Sequence, residues 1–375
     1  MNCYTFDYIN KLAERFGKQQ CHDFDIVVPD ELKRIIADVQ SCDYDVLLDK
    51  MFGIFPEELV KCCKSNGIIL NIPHSRQSAE NPIRGKKHSE LLEILPPPHL
   101  ANYEWRYTRI SASTLLRSLM PMRQNTNTCC LGTPTLALEL AQQYNDIKPT
   151  LLDINSPLID EVKKTLFASK IECQVYDVCN ELPDRFKNKF DLVFINPPWY
   201  LDYYKMFIKR AIELLVKNGG EIILPLFPPL SRHKSLKDLD TLRTILNTIG
   251  FDNVSSLGEV SFAMPGFEKK VLQMKNIPIP TSNWRKAEVI KLKLSSNTNM
   301  VSRIFEDIQI QEKKWVRSYD AKKKSYSVVD IERLADKSIS IQTREFQQLD
   351  TLSRKEISSR HFEIWDENNQ IVIFR

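Results

Sequence analysis

Glycine is scarce in this chain, and several other features are missing from it. Only ten of the 375 residues are glycine, well under half of the usual share of roughly 7%. The last 196 residues contain no cysteine, and the sequence has no Cys-x-x-Cys pair and no internal repeat. No apolar run approaches the roughly 18 residues that a membrane-spanning helix needs. These absences argue against a disulfide scaffold, a repeat protein and a membrane protein.

The nine cysteines that are present fall between Cys3 and Cys179. Their spacing favours buried thiols, because adjacent cysteines such as Cys62 and Cys63 are poorly placed to bridge each other. Cys21 and His22, even with Cys3 nearby, fit no common zinc spacing, so no metal site is predicted. The first twenty residues lack the apolar core of a signal peptide. We therefore expect a cytoplasmic protein.

The charge is concentrated in the middle of the chain. The formal net charge is +4, and residues 101–294 carry 26 Lys+Arg against 20 Asp+Glu. A mildly basic region suits an anionic partner, although the excess is small.

Three prolines, Pro96 to Pro98, mark a domain boundary because they lock φ and remove three backbone donors. Residues 1–95 read as a mostly helical N-terminal domain, with a strand predicted at 68–72. A helix, a capped turn and a strand in this order leave two alternatives, a plain helical packing domain and a winged helix.

Strands and helices alternate over residues 103–294, which predicts repeated βα units. The predicted strands lie at 128–131, 149–152, 171–176, 190–195, 221–226, 254–260 and 287–294. We expect an α/β fold with a doubly wound, Rossmann-like seven-stranded sheet whose last strand is antiparallel, at an edge. Residues 295–375 read as a small β-containing C-terminal region, with a hairpin turn at Asn368-Asn369.

Distinctive residues follow the first three predicted strands of this sheet. Ligands bind open α/β sheets at the carboxyl ends of the strands. Gly132 follows the first strand, and Thr133 and Thr135 could present polar groups at a helix start. Asp153 stands where an acidic residue holds ribose hydroxyls, and Asp177 could accept a hydrogen bond from an amino group. The sequence predicts a nucleoside-binding edge.

The fourth predicted strand is followed by Asn196-Pro197-Pro198-Trp199, the most specific motif in the chain. Consecutive prolines fix an extended turn that can aim the Asn196 side chain and the Pro197 carbonyl at one point. Two such acceptors would hold the hydrogens of an amino group and direct its lone pair at an electrophile. Trp199 offers a flat face on which a target ring can stack. The motif predicts transfer to a nitrogen, with Asn196, Pro197, Pro198 and Trp199 as the catalytic set.

With the strand-end residues upstream, this motif resembles class I S-adenosylmethionine-dependent methyltransferases that act on amino nitrogens, including N6-adenine methyltransferases. The resemblance covers residues 103–294 and implies S-adenosyl-L-methionine as cofactor. It places Gly132, Thr133 and Thr135 on the methionine part, Asp153 on the ribose and Asp177 on the adenine. It implies methylation of an exocyclic or amide nitrogen, above all adenine N6 of a nucleic acid or nucleotide.

Two other functions stay open at this point. A shortened first loop before a Pro-Pro turn is also similar to branched-chain polyamine synthases, which are aminopropyltransferases, although their first loop is rich in aspartate and this one has none. The single glycine of that loop also leaves room for a non-catalytic binding protein with the same fold.

Residues around the predicted pocket extend the acceptor site. We expect Trp199 and Tyr200 to bind the substrate, together with Phe262 and Phe267 from the long connection between the sixth and seventh strands. A run of basic and aromatic residues at 312–326 could track a nucleic-acid backbone.

Overall fold

The computed structural model describes residues 3–72, 95–119, 126–217, 219–251, 253–294, 305, 308, 310, 315–330, 344–351, 357, 362 and 364–374. The N-terminal part is helical. Its elements are α1 (Tyr4–Gln20), α2 (Phe24–Val39), α3 (Tyr44–Lys50) and α4 (Pro56–Ser65).

Side chains fix where these helices begin. Asp23 and Asp43 cap α2 and α3, each accepting a hydrogen bond from a backbone N–H of the first turn. The predicted strand at 68–72 is wrong, because only Asn71 pairs there, in a single parallel bridge with Asp43. The described residues therefore contain no wing, and the apolar faces of the four helices pack on one another instead.

The central part alternates helices and strands as the sequence predicts. The strands are β1 (Thr128–Leu131), β2 (Thr150–Asp153), β3 (Glu172–Val175), β4 (Leu192–Ile195), β5 (Glu221–Pro225), β6 (Asn253–Ser261) and β7 (Lys286–Lys293). The helices are α5 (Arg109–Leu119), α6 (Pro134–Gln143), α7 (Ser156–Lys164), α8 (Leu201–Leu214), α9 (Ser235–Ile249) and α10 (Gly266–Met274).

The seven strands form one sheet in the order β3-β2-β1-β4-β5-β7-β6. The first five are parallel, and β7 runs antiparallel to both of its neighbours. The sequence correctly predicts an antiparallel last strand but places it at an edge, whereas β7 lies between β5 and β6. The parallel register brings the carboxyl ends of β1, β2, β3 and β4 to the same side of the sheet.

Both faces of the sheet are buried, which explains the continuous apolar strands. Alternate residues of β1 and β4 belong to two separate cores. Leu131 and Val193 lie in one core with α8 and α9, and Cys130 and Phe194 lie in the other with α5 and α6. The central strands are therefore held rigidly, and so are the loops at their carboxyl ends.

The C-terminal part is a second, antiparallel sheet. Its strands are β8 (Trp315–Asp320), β9 (Ser325–Asp330), β10 (Arg344–Gln348), β11 (Ile364–Asp366) and β12 (Gln370–Phe374), in the order β10-β12-β11-β9-β8. The predicted hairpin is confirmed, since Trp365 pairs with Ile371 and Asn369 turns the chain with φ of +64°. Trp315 and Tyr326 of the basic-aromatic run are buried, so neither ring is available for stacking on bases. Residues 312–314 of that run lie outside the described residues.

Within the described part of the chain, no helix combines the length and the apolar character that crossing a bilayer demands. All nine cysteines are described, and all are free thiols.

Gly53 joins the helical part to the central sheet and provides a test of that contact. Its φ is +80°, and a Cβ at this position would lie 2.4 Å from Pro228 Cβ. We expect Gly53→Ala to lower the free energy of unfolding by about 2–4 kcal/mol, because strain and overlap add. Denaturant unfolding followed by circular dichroism measures the loss.

Gly67→Ala is the matched control, because Gly67 has φ of +67° and nothing within 4 Å of its added Cβ. Gly67→Ala should lower the free energy of unfolding by the backbone strain alone, about 1 kcal/mol. Equal losses of unfolding free energy in the two variants would show that the overlap with Pro228 adds nothing to the backbone strain at Gly53.

Candidate active site

The loop between β1 and α6 is built around Gly132. Its φ of +66° lies in the left-handed region, and a Cβ there would lie 3.3 Å from Phe207 Cε1. Its N–H donates to Leu152 O at 2.8 Å, which ties the loop to β2. Pro134 opens α6 at a position whose N–H has no helical acceptor, so the proline removes no helical hydrogen bond. One glycine therefore suffices for this turn.

Two threonines at the start of α6 line a cavity at the sheet edge. Thr133 and Thr135 are each only 1% exposed. Oγ1 of Thr135 has no hydrogen-bond partner among the described residues. A buried hydroxyl without a partner is costly, at about 1–3 kcal/mol, unless a ligand completes it. Thr135 is therefore a candidate ligand-binding group.

The acids predicted after β2 and β3 share one local geometry. Asp153 Oδ1 accepts from Asn155 N–H at 2.8 Å, and Asp177 Oδ1 accepts from Cys179 N–H at 2.9 Å. Each backbone bond fixes one carboxylate oxygen. Both residues line the same cavity as Gly132. The structure thus brings the predicted strand-end residues together.

Asp153 faces a second carboxylate that the sequence analysis missed. Burial, and after it the nearby Glu104 carboxylate, raise the pKa of Asp153 to about 7, against the lowering effects of Asn155 N–H and of the Arg317 and Arg106 charges. Glu104 itself accepts from Arg106 Nε at 2.8 Å and lines the cavity. Glu104 follows no strand of the sheet, so the search along strand ends could not find it.

The C-terminal sheet supports this cavity from behind, through Asn102, which lines it. The Tyr326 hydroxyl donates to Asn155 Oδ1 at 3.2 Å and accepts from Asn102 Nδ2 at 2.9 Å, while Arg317 Nε donates to Asn102 Oδ1 at 2.7 Å. Asn155 Oδ1 also caps α7, accepting a hydrogen bond from Leu158 N–H at 3.2 Å. No local pattern signals a contact between residues 171 positions apart.

The Asn196-Pro197-Pro198-Trp199 turn is held at both ends. Asn196 Nδ2 donates to Trp105 O at 3.2 Å, which leaves its Oδ1 as the free acceptor of the side chain among the described residues. At the other end, Trp199 O accepts from Arg232 Nε at 2.7 Å. The Arg232 guanidinium also lies 5.2 Å from the Tyr200 ring centre. The turn is therefore fixed in position and in orientation.

Two cavities meet at this turn. The strand-end cavity is narrow, about 80 Å³, and is lined by Gly132, Thr133, Thr135, Asp153 and Asp177. The aromatic cavity is larger, about 660 Å³, and seven aromatic rings line it, those of Phe24, Phe55, Tyr103, Trp105, Trp199, Tyr200 and Phe262. Asn196, Pro198, Tyr103 and Trp105 line both. A group bound in one cavity can therefore meet a group bound in the other at Asn196.

Three of the four predicted substrate residues line the aromatic cavity, and the fourth does not. Trp199, Tyr200 and Phe262 line it, and Phe262 meets Trp199 edge to face with ring centres 5.8 Å apart. Phe267 lines neither cavity; it is 1% exposed and packs edge to face under Trp105. The reason is that the predicted long loop contains helix α10, which turns Phe267 into the core.

Comparison with known proteins gives two relationships. Residues 134–315 match the family model described as the branched-chain polyamine synthase A C-terminal domain. The branched-chain polyamine synthase of Thermus thermophilus, in complex with N4-aminopropylspermidine and 5'-methylthioadenosine, superposes with a TM-score of 0.56 at 13% identity, covering 83% of this chain and 98% of that chain.

Sequence similarity also reaches ribosomal RNA enzymes. The ribosomal RNA small subunit methyltransferase C of Escherichia coli is 28% identical over 97 residues, which cover 24% of this chain and 27% of that protein. An uncharacterized protein of Methanocaldococcus jannaschii is 25% identical over 122 residues, or 32% of this chain and 28% of that protein. The chain therefore spans little more than a quarter of the length of these curated relatives.

With the strand order and the antiparallel β7 in place, these relationships decide the fold. The chain has the class I S-adenosylmethionine-dependent methyltransferase fold. It is similar over residues 134–315 to branched-chain polyamine synthases and, over a stretch of 97 residues, to the ribosomal RNA enzymes. The Asn-Pro-Pro-Trp turn follows β4 of this methyltransferase fold, at the meeting point of the two cavities.

The raised pKa of Asp153 makes a prediction about stability. A carboxyl group whose folded-state pKa is about 7 rather than 3.8 favours folding while it is protonated, and this contribution is lost as the pH rises between those values. The unfolding free energy of the wild type should therefore fall relative to that of Asp153→Asn between about pH 4 and 7. We expect a change of roughly 1–2 kcal/mol, since the side chain is partly solvated at the cavity.

Urea unfolding at several pH values measures this difference. Asp177→Asn removes a carboxylate with the same backbone contact at the neighbouring strand end and is the matched control. An identical pH profile for wild type and Asp153→Asn would show that Asp153 does not carry the effect.

Proposed function

We propose that this chain is a cytoplasmic S-adenosylmethionine-dependent methyltransferase that acts on an exocyclic or amide nitrogen, with adenine N6 of a nucleic acid or nucleotide as acceptor. The observation that carries the proposal is the orientation of Asn196. Its amide nitrogen is bound to Trp105 O, so its Oδ1 is presented where the two cavities meet. An acceptor oxygen at that point suits an amino group that must be oriented rather than deprotonated.

The strand-end cavity has the donor and acceptor groups that the cofactor requires. Asp153 would hold the ribose hydroxyls and Asp177 the adenine amino group, while Gly132, Thr133 and the unpaired Thr135 hydroxyl would lie against the methionine part. The cavity is narrow, so side chains at its mouth must move for a nucleoside to enter. When bound, the cofactor supplies a methyl group made electrophilic by its sulfonium.

The residues at the junction would orient the acceptor. Asn196 Oδ1 and Pro197 O accept the two hydrogens of the amino group, which turns the nitrogen lone pair towards the methyl group. Trp199 and Tyr200 would hold the ring of the acceptor by stacking. The methylated nitrogen then loses one proton to solvent through the open aromatic cavity, so no basic side chain is needed.

A nucleic-acid acceptor is supported by the relatives and by the cavity. The named relatives include a ribosomal RNA methyltransferase. A volume of about 660 Å³ lined by seven rings is sufficient for an unstacked base. A base within a duplex would have to be flipped out of its stack to reach Asn196.

We expect Asn196→Ala to abolish methyl transfer, at least about 100-fold, because the amino group loses its orienting acceptor. Cofactor affinity should stay within a few-fold, since the methionine, ribose and adenine contacts are elsewhere. Transfer of labelled methyl groups onto separated DNA, RNA and protein fractions measures the first effect, and calorimetry with S-adenosylhomocysteine measures the second. Loss of cofactor binding in this variant would show that Asn196 has another role.

Aminopropyl transfer is the second candidate, favoured by the match to branched-chain polyamine synthases over residues 134–315. The loop after β1 argues against it, because the first loop of that family is rich in aspartate and the loop from Gly132 to Thr135 has none. Calorimetry that compares S-adenosylmethionine with its decarboxylated form separates the two functions. A melting temperature that neither S-adenosylmethionine nor S-adenosylhomocysteine shifts would instead support a non-catalytic protein.

A further inference from the structure

A buried ion pair lies behind the aromatic cavity. Arg285, immediately before β7, is 4% exposed, and Glu268 in α10 is completely buried. Nε and Nη2 of Arg285 donate to the Glu268 carboxylate at 3.1–3.3 Å. Removing one partner of a pair this deeply buried is strongly destabilising, because the other charge is then buried without a partner. Both side chains are therefore held in place.

Four aromatic rings surround the Arg285 guanidinium. Their centres lie 4.5–5.0 Å from its carbon, and they belong to Phe55, Trp105, Trp199 and Trp284. These rings come from the helical N-terminal part, from the segment before α5, from the turn after β4 and from the connection before β7. Rings arranged in this way around a cation form the kind of cage that recognises ammonium ligands. Here the chain's own cation occupies it.

The ion pair is linked to both ends of the Asn-Pro-Pro-Trp turn. Trp105 Nε1 donates to Glu268 Oε2 at 3.2 Å, and Trp105 O accepts from Asn196 Nδ2 at 3.2 Å. At the other end of the turn, the Trp199 ring packs on Arg285, with 5.0 Å between the ring centre and the guanidinium carbon. The contacts therefore form a closed loop that runs through the pair and through Asn196.

We propose that Arg285 is a positioning and selectivity residue of the acceptor site. It fixes Asn196 and Trp199 in their working orientation, and it occupies the aromatic cage so that the site takes an uncharged ring amine and rejects a polyammonium acceptor. This inference rests on the proposed function and names the charge class of its substrate.

The remaining charges of the aromatic cavity agree with this selectivity. A polycation would need unpaired carboxylates, but Glu57 is bound by Lys275 Nζ at 2.7 and 2.9 Å and Glu58 lies 3.8 Å from Lys61 Nζ. The third carboxylate of the lining, Asp350, is not free either. A cationic acceptor would therefore find the cage occupied by the paired Arg285 guanidinium and no free carboxylate among the described residues that line the cavity. A neutral ring would still find aromatic faces to pack on.

The test replaces both charges together, because Arg285→Met alone would leave Glu268 buried and unpaired. In the pair Arg285→Met with Glu268→Gln, we expect kcat for methyl transfer to fall about 100-fold while the affinity for S-adenosylhomocysteine stays within about three-fold. Fluorine NMR of protein labelled with 5-fluorotryptophan should show a shifted Trp199 resonance, assigned through Trp199→Phe. Unchanged kcat and an unchanged Trp199 resonance in the folded double variant would overturn the positioning role.

Glu31→Gln is the matched control. Glu31 is as deeply buried as Glu268 and pairs with Arg15, which stacks on Phe16 with 5.0 Å between the guanidinium carbon and the ring centre. This pair lies in the helical part, so its loss should lower stability without changing kcat or the Trp199 resonance.

Calorimetry with spermidine tests the selectivity. The wild type should bind it with a Kd weaker than about 1 mM. The double variant should bind it at least about ten-fold more tightly, because the aromatic rings no longer surround a guanidinium and can take an ammonium group. Tight binding of spermidine by the wild type would overturn the selectivity. The proposed function fails separately, if the wild type transfers no labelled methyl group to any of the DNA, RNA and protein fractions.

Discussion

The site depends on one hydrogen bond, from the side-chain nitrogen of Asn196 to the backbone carbonyl of Trp105. This bond decides which end of the amide faces the cavities, because an amide has one donating end and one accepting end. It also joins the end of β4 to the segment before α5, which lies across both cavities. Without it, the two prolines would fix the backbone of the turn but not the direction of the side chain.

Each part of the chain supplies a wall of the site. The helical part contributes Phe55 to the aromatic cavity, which Thr351 after β10 also lines. In the C-terminal sheet, Tyr326 and Arg317 hold Asn102, which lines the strand-end cavity. The central sheet provides the rigid edge on which these walls meet. The flanking parts therefore complete the lining of the aromatic cavity and support the strand-end cavity, so they are structural components of the site.

The similarity to branched-chain polyamine synthases and the resemblance to amino-methyltransferases concern different levels of the structure. The first follows the architecture of most of the chain. The second depends on a few residues at strand ends, above all on Asn196, a neutral amide at a position where a carboxylate would suit a cationic amine better. Chemistry depends on the groups that touch the substrate, and one fold serves several reactions. For this reason the proposed reaction rests on the site residues and not on the architecture.

The sequence by itself determined the strand ends and the residues directly after them. Apolar runs bounded by turns located β1 to β7 within a few residues, and Gly132, Asp153, Asp177 and Asn196 lie together because parallel strands share one carboxyl edge. Local patterns are sufficient for this because both the strand period and the βα alternation are local properties. The predicted strand at 68–72 failed because its pairing depends on a single distant residue, Asp43.

Only the tertiary structure decided the rest of the site. Glu104 and Arg285 line the cavities from segments far apart in the chain, and Tyr326 supports one of them from behind. Helix α10 carries Phe267 into the core although its sequence suited a covering loop. The pKa of Asp153 likewise depends on burial and on Glu104. These features are sums of long-range contacts, and no periodicity or motif within a short window encodes them.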